Sequence, residues 1–454
     1  MSITRLFGTN GIRGIPSENF TLKFISEVSL SIGSFFKKGP ILVGHDGRVT
    51  SPIIYDAVSS SLMASGIDVI EAGMLPTPAL QLYVRNSNYN GGVMVTASHN
   101  PSIYNGLKVM GKDGVEISRT DEKRIEKIYF DKSWNYSPSN SIGTSVLITD
   151  SVNHYVDGII SNVNLDLIRK KNLVAVVDFG NGMQSLAIPI LLKQLNCKCL
   201  PLNSKIDGNF PGRGPEPTPD SLLELSESVL SNDADFGVAF DGDGDRSIFV
   251  DNLGKIYWGD QSGSILSDHI LSTNSNSNST IVTTVSTSQL IDYVAKKNNG
   301  HVIRTRVGSV DVSRSMIKHN AIFGLEENGG CFYSPHIPTR DGGMSTALMA
   351  EKLSSDNRTL SEIFADLPSY HQRKTKLSYS RDKIAALLDY LPDNLDYSFD
   401  DIDGLKFYFD SSTWALIRPS GTEPIVRIFA ESENKSNLNS YWDEVFTAIN
   451  SFNG

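Results

Sequence analysis

Apolar residues along this chain fall in short runs, each closed by small and polar residues. The clearest are Ile41-Leu42-Val43-Gly44, Gly92-Val93-Met94-Val95, Leu173–Val177, Phe236–Phe240 and Ile281–Val285. Continuous apolar runs of this length predict strands buried on both faces, as in a parallel sheet. Between several of them the pattern changes to helical spacing. After Ile41–Gly44 the polar loop His45–Arg48 leads to Ser51, read as the cap of a helix with Pro52 in its first turn. Ile54, Val58, Leu62 and Met63 mark one face of that helix, Gly66 ends it, and Ile67–Ile70 is the next strand. The same order of strand, loop, helix and strand returns at 173–202, with a helix near 185–195 and a strand around Cys197–Leu200. It returns again at 280–308, with a helix from Ser288 to Lys297 and then Val302–Thr305. Three such units, spaced by more than 100 residues, predict three related α/β domains.

From Lys406 to Glu431 the pattern changes to short strands: Lys406–Phe409, Trp414–Ile417 and Ile425–Phe429. This predicts a smaller C-terminal α+β domain. The expected boundaries are 1–150, 151–252, 253–370 and 371–454. The polar stretch 131–150 reads as a linker or edge excursion. Ser272–Ser279 reads as a solvated loop between helix and strand.

Composition adds constraints rather than elements. At 454 residues, 39% hydrophobic and 20% charged, the chain can fill several cores and is not a disordered type. Its net charge of -10 argues against nucleic acid and anionic membranes as partners, so a phosphate ligand would need locally concentrated cations. Cys197, Cys199 and Cys331 are too few for a disulfide framework, and Cys197 and Cys199 are expected as strand thiols rather than a metal site. The first residues carry no signal-peptide pattern, and no run reaches the roughly 18 apolar residues of a membrane helix. A cytoplasmic protein is expected.

Four loops at strand ends carry candidate chemistry. Thr96-Ala97-Ser98-His99-Asn100-Pro101 follows an apolar run, and its Ser98–His99 pair suits either a hydrolase nucleophile or a phosphate carrier. Asp241-Gly242-Asp243-Gly244-Asp245-Arg246 follows Phe236–Phe240. Its three carboxylates at alternate positions can converge, would repel one another, and so point to a hard divalent cation. Arg246 beside them could hold a phosphate bidentately. An EF-hand is excluded, because the sixth and twelfth positions counted from Asp241 are Arg246 and Asn252. Arg418-Pro419-Ser420-Gly421-Thr422-Glu423-Pro424 joins two strands and offers a phosphate cradle of hydroxyl and N–H donors, flanked by Arg418 and Arg427. Gly324-Leu325-Glu326-Glu327-Asn328-Gly329-Gly330 could bond vicinal sugar hydroxyls, or be an ordinary surface turn. Two weaker signals are Phe7–Gly14, which places Arg13 in a glycine-rich loop, and Asn105–Lys108, which puts Lys108 on the return strand after Ser98.

In order and spacing these motifs resemble the α-D-phosphohexomutases, the superfamily of phosphoglucomutase, phosphomannomutase and phosphoglucosamine mutase. The resemblance spans essentially the whole chain, and implies three related α/β domains with mixed sheets plus a smaller α+β domain. It implies that Ser98 carries the transferable phosphate, and that Asp241, Asp243 and Asp245 bind Mg²⁺ with a phosphoserine oxygen of Ser98. By the same resemblance Arg13, His99, Lys108 and Arg246 line the reaction centre, with Lys108 as general acid/base. Glu326 and Asn328 hold sugar hydroxyls, Arg418, Ser420, Gly421 and Thr422 grip the non-reacting phosphate with Arg427 just after them, and Gly308 is a further substrate-binding position. The implied reaction interconverts hexose 1-phosphate and hexose 6-phosphate through a sugar 1,6-bisphosphate, in a monomer or homodimer.

Two departures from that pattern bear on the sugar. The loop reads Glu-Glu-Asn-Gly-Gly where many relatives have Ser at the Asn328 position and His at the Gly330 position, which resembles archaeal-type phosphomannomutase/phosphoglucomutase sequences. Val307–Asp311 lacks the basic residue that several relatives place just after the glycine, leaving Arg304, Arg306 or Arg314 to substitute. The reading adopted is phosphomannomutase/phosphoglucomutase. Phosphoglucosamine mutase, an inactive sugar-phosphate-binding relative and a phosphatase are the alternatives.

Overall fold

The computed structural model describes residues 5–273, 279–420 and 424–452. The described residues form four sheets, and the first three repeat one topology. In the first sheet, strand Ile41–His45 pairs in parallel with Val69–Met74 on one side and with Gly91–Val95 on the other. Gly91–Val95 then pairs antiparallel with Asn105–Gly111. In the second, Val174–Asp178, Lys198–Leu202, Phe236–Phe240 and Ser247–Asp251 take the same places. In the third, Thr280–Thr284, His301–Thr305, Phe323–Leu325 and Cys331–Tyr333 do so. The expected domains with mixed sheets are therefore found.

This repetition puts three motif loops in one topological position. Residues 96–104, 241–246 and 326–330 each connect the third strand of the unit to its antiparallel return strand. A parallel strand covered on both faces needs apolar residues throughout, whereas a tight return needs small and polar ones. The switch between the two marks each loop in the sequence.

Alternate side chains of the first sheet feed different cores. Ile41, Val43, Val93 and Val95 pack with helices Leu22–Phe36 and Ser51–Ala64. Leu42 and Met94 point the other way, into a cluster that continues through Val177 and Phe236 of the second sheet to Ile281 and Phe323 of the third. The fourth sheet is antiparallel throughout and has its own core with helices Arg381–Asn394 and Lys435–Ser451. It begins with a long strand, His371–Ser378, that the short-strand pattern did not announce, because its side chains are mostly exposed.

Several local expectations change. Ser51 lies inside the helix rather than capping it, and its hydroxyl donates to Asp46 Oδ1 at 2.5 Å. The strand expected at Ile67 starts at Val69. The excursion at 131–150 contains edge strand Ser145–Leu147, paired with Val69–Glu71. Helix Gly259–Thr273 continues through Ser272, whose hydroxyl bonds back to the His269 carbonyl. The rest of the polar run, 274–278, lies outside the described residues. Arg13 sits in the short strand Ile12–Gly14, opposite Gly106, rather than in a loop. The three cysteines are free thiols. Among the described residues, no helix is long and apolar enough to cross a membrane.

Candidate active site

Ser98 is fully buried and adopts a left-handed backbone, φ 52. A non-glycine residue in that region needs its surroundings to hold it there. They do so through two residues of the loop after Ile41–His45. Buried Arg48 donates to four carbonyls of the serine loop: Ser98 (2.7 Å), Asn100 (2.6 Å), Pro101 (2.7 Å) and Tyr104 (2.9 Å). Asp46 takes Arg48 Nε at 3.1 Å and Thr96 Oγ1 at 2.7 Å, and Thr96 Oγ1 in turn accepts from Ser98 N at 2.8 Å. Neither Asp46 nor Arg48 stood out in the sequence, since the link spans 50 residues and a single arginine has no motif.

Ser98 Oγ donates to Asp241 Oδ2 at 2.8 Å and lies 3.4 Å from His99 Nδ1. The serine and aspartate loops meet closely, because a Cβ on Gly242 would fall 2.7 Å from the Ser98 carbonyl oxygen. Only glycine permits that approach.

Asp241, Asp243 and Asp245 are buried, with ligand oxygens all within 4.8 Å of one another. Asp243 Oδ2 accepts from Thr77 Oγ1 at 2.5 Å and Lys108 Nζ at 2.7 Å. Asp245 Oδ2 accepts from Lys108 at 2.7 Å and Arg340 at 2.6 Å. The other oxygen of each, Oδ1, is buried without a hydrogen-bond partner among the described residues. Two orphaned carboxylate oxygens in a cluster of three fit a divalent cation, which prefers oxygen ligands.

The protonation states agree. Burial first, then Asp245 and Asp243, pushes the Asp241 carboxyl up to about 8. Three neighbouring carboxylates thus do not all ionise in the metal-free protein. Burial alone would depress the Lys108 ammonium, but Asp243 and Asp245 outweigh it and raise it above the ordinary lysine value. Lys108 is therefore a buried, charged group rather than a depressed-pKa base. His99 is pushed well below its usual range by burial and by Arg246, Arg13, Arg340 and Lys108, so its ring is neutral. Burial lowers Arg13 to about 10, still charged at neutral pH, and Arg13 Nη1 donates to Asn100 Oδ1. Arg246 Nε stands 4.0 Å from both Asp241 Oδ2 and Asp245 Oδ1. These cations gather around Ser98 in a chain whose net charge is -10.

Glu326 is buried, with burial raising its carboxyl, and its Oε2 lies 3.5 Å from Arg340 Nη1. Asn328 Oδ1 accepts from Gly330 N at 3.3 Å, so it shapes its own loop. Thr77 and Arg340 join the site without any sequence signal, because their bonds to Asp243 and Asp245 span 166 and 95 residues of chain.

A second group forms where the third and fourth sheets meet. Arg418 Nε and Val307 N both donate to Asp403 Oδ2, at 2.5 and 3.0 Å. That carboxylate ties the Arg418 loop to the turn at Gly308, whose φ is +143 and whose Cβ position lies 3.0 Å from Thr9. Arg418 faces Arg427 across the strand pair, and Ser420 N donates to the Ile425 carbonyl at 2.9 Å. Gly421 and Thr422 lie outside the described residues. Of the three substitutes considered for the missing basic residue, Arg304 pairs with Asp292 and Arg314 with Asp113. Arg306 is exposed and donates to the Ile402 carbonyl, beside Asp403.

Four models of phosphoglucomutase/phosphomannomutase domains match in order: α/β/α domain I over 4–136, domain II over 153–254, domain III over 258–370, and the C-terminal domain over 374–448. The chain belongs to the phosphoglucomutase/phosphomannomutase family. It is 41% identical to a phosphoglucosamine/phosphogalactosamine mutase of Sulfurisphaera tokodaii, over 97% of this chain and 98% of the relative. It is 38% identical to a phosphoglucomutase/phosphomannomutase of Thermococcus kodakarensis, over 96% of each. A crystal structure of a phosphoglucomutase/phosphomannomutase family protein from Burkholderia thailandensis superposes with a TM-score of 0.88 at 25% identity, covering 99% of this chain and 98% of that one. Family membership makes this chain a phosphohexomutase, an intramolecular phosphotransferase of the isomerase class.

Proposed function

We propose that this chain interconverts the 1- and 6-phosphates of a hexose, with Ser98 as the phosphoryl carrier. The observation that carries the reading is the contact of two loops. Ser98 Oγ lies 2.8 Å from Asp241 in a buried three-carboxylate cluster, and among the described residues no carboxylate orients the neighbouring His99 as in a hydrolase triad. Mg²⁺ held by Asp241, Asp243, Asp245 and a phosphate oxygen on Ser98 would supply charge neutralisation at the transferring group.

Phosphorylated Ser98 gives its phosphoryl group to the free hydroxyl of a hexose monophosphate. The P–Oγ bond breaks as the bond to the sugar oxygen forms, and the proton lost by the sugar hydroxyl ends on the freed Ser98 Oγ. The sugar 1,6-bisphosphate turns end for end and returns its other phosphoryl group to Ser98 Oγ. Arg13 and Arg246 hold charge on the transferring group, with neutral His99 beside it. Lys108, an ammonium, is the acid for the returning half-reaction: it donates to the sugar oxygen as that oxygen is freed, and the proton lost by Ser98 Oγ restores it. Glu326 and Asn328 hold the sugar. Arg418, Ser420, Gly421 and Thr422 grip the phosphate at rest, with Arg427 and Gly308 as further substrate contacts.

These roles divide the chain at 1–150 for the serine, 151–252 for the metal, 253–370 for the sugar and 371–454 for the resting phosphate. The assigned substrates are glucose and mannose phosphates. Glucosamine phosphate is the second reading, supported by the amino-sugar name of the Sulfurisphaera tokodaii relative. A cytoplasmic monomer or homodimer, with sugar bisphosphate as activator and without nucleic acid or membrane as partner, completes the reading.

The test compares the three sugar 1-phosphates, with Mg²⁺ and catalytic bisphosphate, in coupled assays for each 6-phosphate. One sugar should exceed the others in kcat/KM, and Ser98→Ala should lose at least about 1,000-fold in rate. Sustained release of inorganic phosphate without any 6-phosphate, or a Ser98→Ala variant at wild-type rate, would overturn it.

A further inference from the structure

Arg340 ends strand Ile337–Arg340, the last strand of the third sheet. The next residue, Asp341, caps helix Gly342–Ser355 by accepting from Met344 N at 2.9 Å, so the backbone at Arg340 is held by both elements. Its side chain is buried and runs back over the sugar loop. Nη2 donates to Asp245 Oδ2 at 2.6 Å, while Nη1 stands 3.5 Å from Glu326 Oε2. One planar group thus faces the metal loop with one nitrogen and the sugar loop with the other. Among the described residues Glu326 Oε2 has no hydrogen-bond partner of its own, which leaves this charge contact as its compensation.

Gly330 supplies the room. A Cβ there would fall 2.6 Å from Arg340 Cδ, 3.0 Å from Cγ and 3.2 Å from Glu326 Oε2. The middle of a stem whose far end is tethered cannot swing aside cheaply, so a side chain at 330 and Arg340 in this position exclude one another. The glycine in the Glu-Glu-Asn-Gly-Gly loop is explained by the arginine ten residues on.

We propose that Arg340 is a positioning residue that couples the sugar loop to the metal loop, its guanidinium shared between Glu326 and Asp245. The proposal rests on the reading of Glu326 as a sugar ligand and of the aspartates as metal ligands. Its physical content is competition for one charge. When Glu326 shares the guanidinium, Asp245 carries less of it and stays available to a divalent cation. When Glu326 loses its charge, the whole guanidinium falls on Asp245 and opposes the cation. Linkage makes the effect reciprocal, so cation binding alters how firmly Glu326 is held for the sugar. A lysine keeps the charge but lacks the two-pronged fork, and reaches one carboxylate at a time.

The experiment is a cycle of Mg²⁺ titrations by calorimetry on the full-length protein: wild type, Glu326→Gln, Arg340→Lys and the double variant. In the wild-type background Glu326→Gln should weaken Mg²⁺ binding by about fivefold to tenfold, and in the Arg340→Lys background by less than about twofold. Equal fold-changes in the two backgrounds would mean a simple field effect of the lost carboxylate, and would overturn the coupling. Gly330→Ala displaces the arginine stem without changing any charge. It should abolish the same coupling, which keeps the test decisive if Arg340→Lys folds poorly, and retention of the full coupling in Gly330→Ala would overturn the proposal. A wild-type protein that binds no Mg²⁺ at all would refute the metal assignment above, and this proposal with it. Binding that is normal but additive across the cycle refutes this proposal alone.

Discussion

The first three sheets and the fourth bury their apolar residues in different ways. One core runs without a break from Leu42 and Met94 through Phe236 to Phe323 and Leu348, so three sheets share it. The fourth sheet keeps its own core, from Ile384 to Ile449. It meets the third through a small cluster of Val285, Trp414 and Leu416, together with polar links such as Lys406 Nζ to the Val285 carbonyl at 2.9 Å. The loops of Ser98 and Asp241 lie on the shared core, and Arg418 lies on the separate one. The difference matches what each part must do. Phosphoryl transfer needs reacting groups fixed to within fractions of an ångström. Gripping whichever phosphate is at rest needs charge and direction, and must allow an intermediate to turn between two transfers.

Removal of the clamp on the serine loop should show the largest effect on that comparison. Arg48→Met leaves the buried Asp46 charge without its cation and frees four carbonyls in the interior. It should cost about 3 kcal/mol in chemical denaturation, the scale for breaking a buried pair from one side. It should also lower kcat by about 100-fold, with KM changed only a few-fold. A variant with normal kcat would show that the shared core alone positions Ser98, and that the clamp is dispensable.

An intermediate effect concerns the metal loop and pH. The Asp241 carboxyl is raised from 3.8 to about 8 in the metal-free protein, so between those values the native state holds a proton that the unfolded chain has released. Metal-free stability from this group therefore falls as pH rises through that window. A divalent cation must displace that proton, so Mg²⁺ should raise Tm more at pH 8 than at pH 6 in thermal-shift measurements. Equal gains at the two pH values would show that Asp241 is already ionised and that the cluster is less tightly packed than its geometry indicates.

The smallest expected effect falls on the separate unit. Arg418→Ala removes one charge-assisted phosphate contact and leaves Asp403 with Val307 N. KM for the hexose phosphate should rise about tenfold while kcat changes less than about threefold, the signature of binding lost equally from ground and transition states. A fall in kcat as large as that of Arg48→Met would erase the distinction between the two regions.

Legibility in the sequence followed distance along the chain. The switch from apolar run to small polar loop exposed the Ser98, Asp241 and Glu326 loops, because a covered strand and a tight return demand opposite residue types within a few positions. The same rule failed for His371–Ser378, whose exposed side chains leave no apolar run. It also placed Arg13 in a loop, since three residues of strand beside glycines carry no pattern. Lys108 carried only a weak signal in the sequence and entered the reaction centre through the resemblance, whereas the fold shows the return strand pointing it at Asp243 and Asp245.

By itself, then, the sequence determined the family, the three related α/β units with their smaller companion, and the loops that hold the serine, the carboxylates and the arginines. Those features are local, and local residue types suffice to specify a strand, a turn or a cluster of like charges. Only the tertiary structure decided that Arg48 clamps Ser98, that Thr77 and Lys108 take up one oxygen of Asp243 while leaving the other open, and that Arg340 stands between Glu326 and Asp245. The first joins two loops of one unit some fifty residues apart, and the other two join residues from separate units, whose approach is set by how three sheets pack on one core; no short stretch of sequence encodes either.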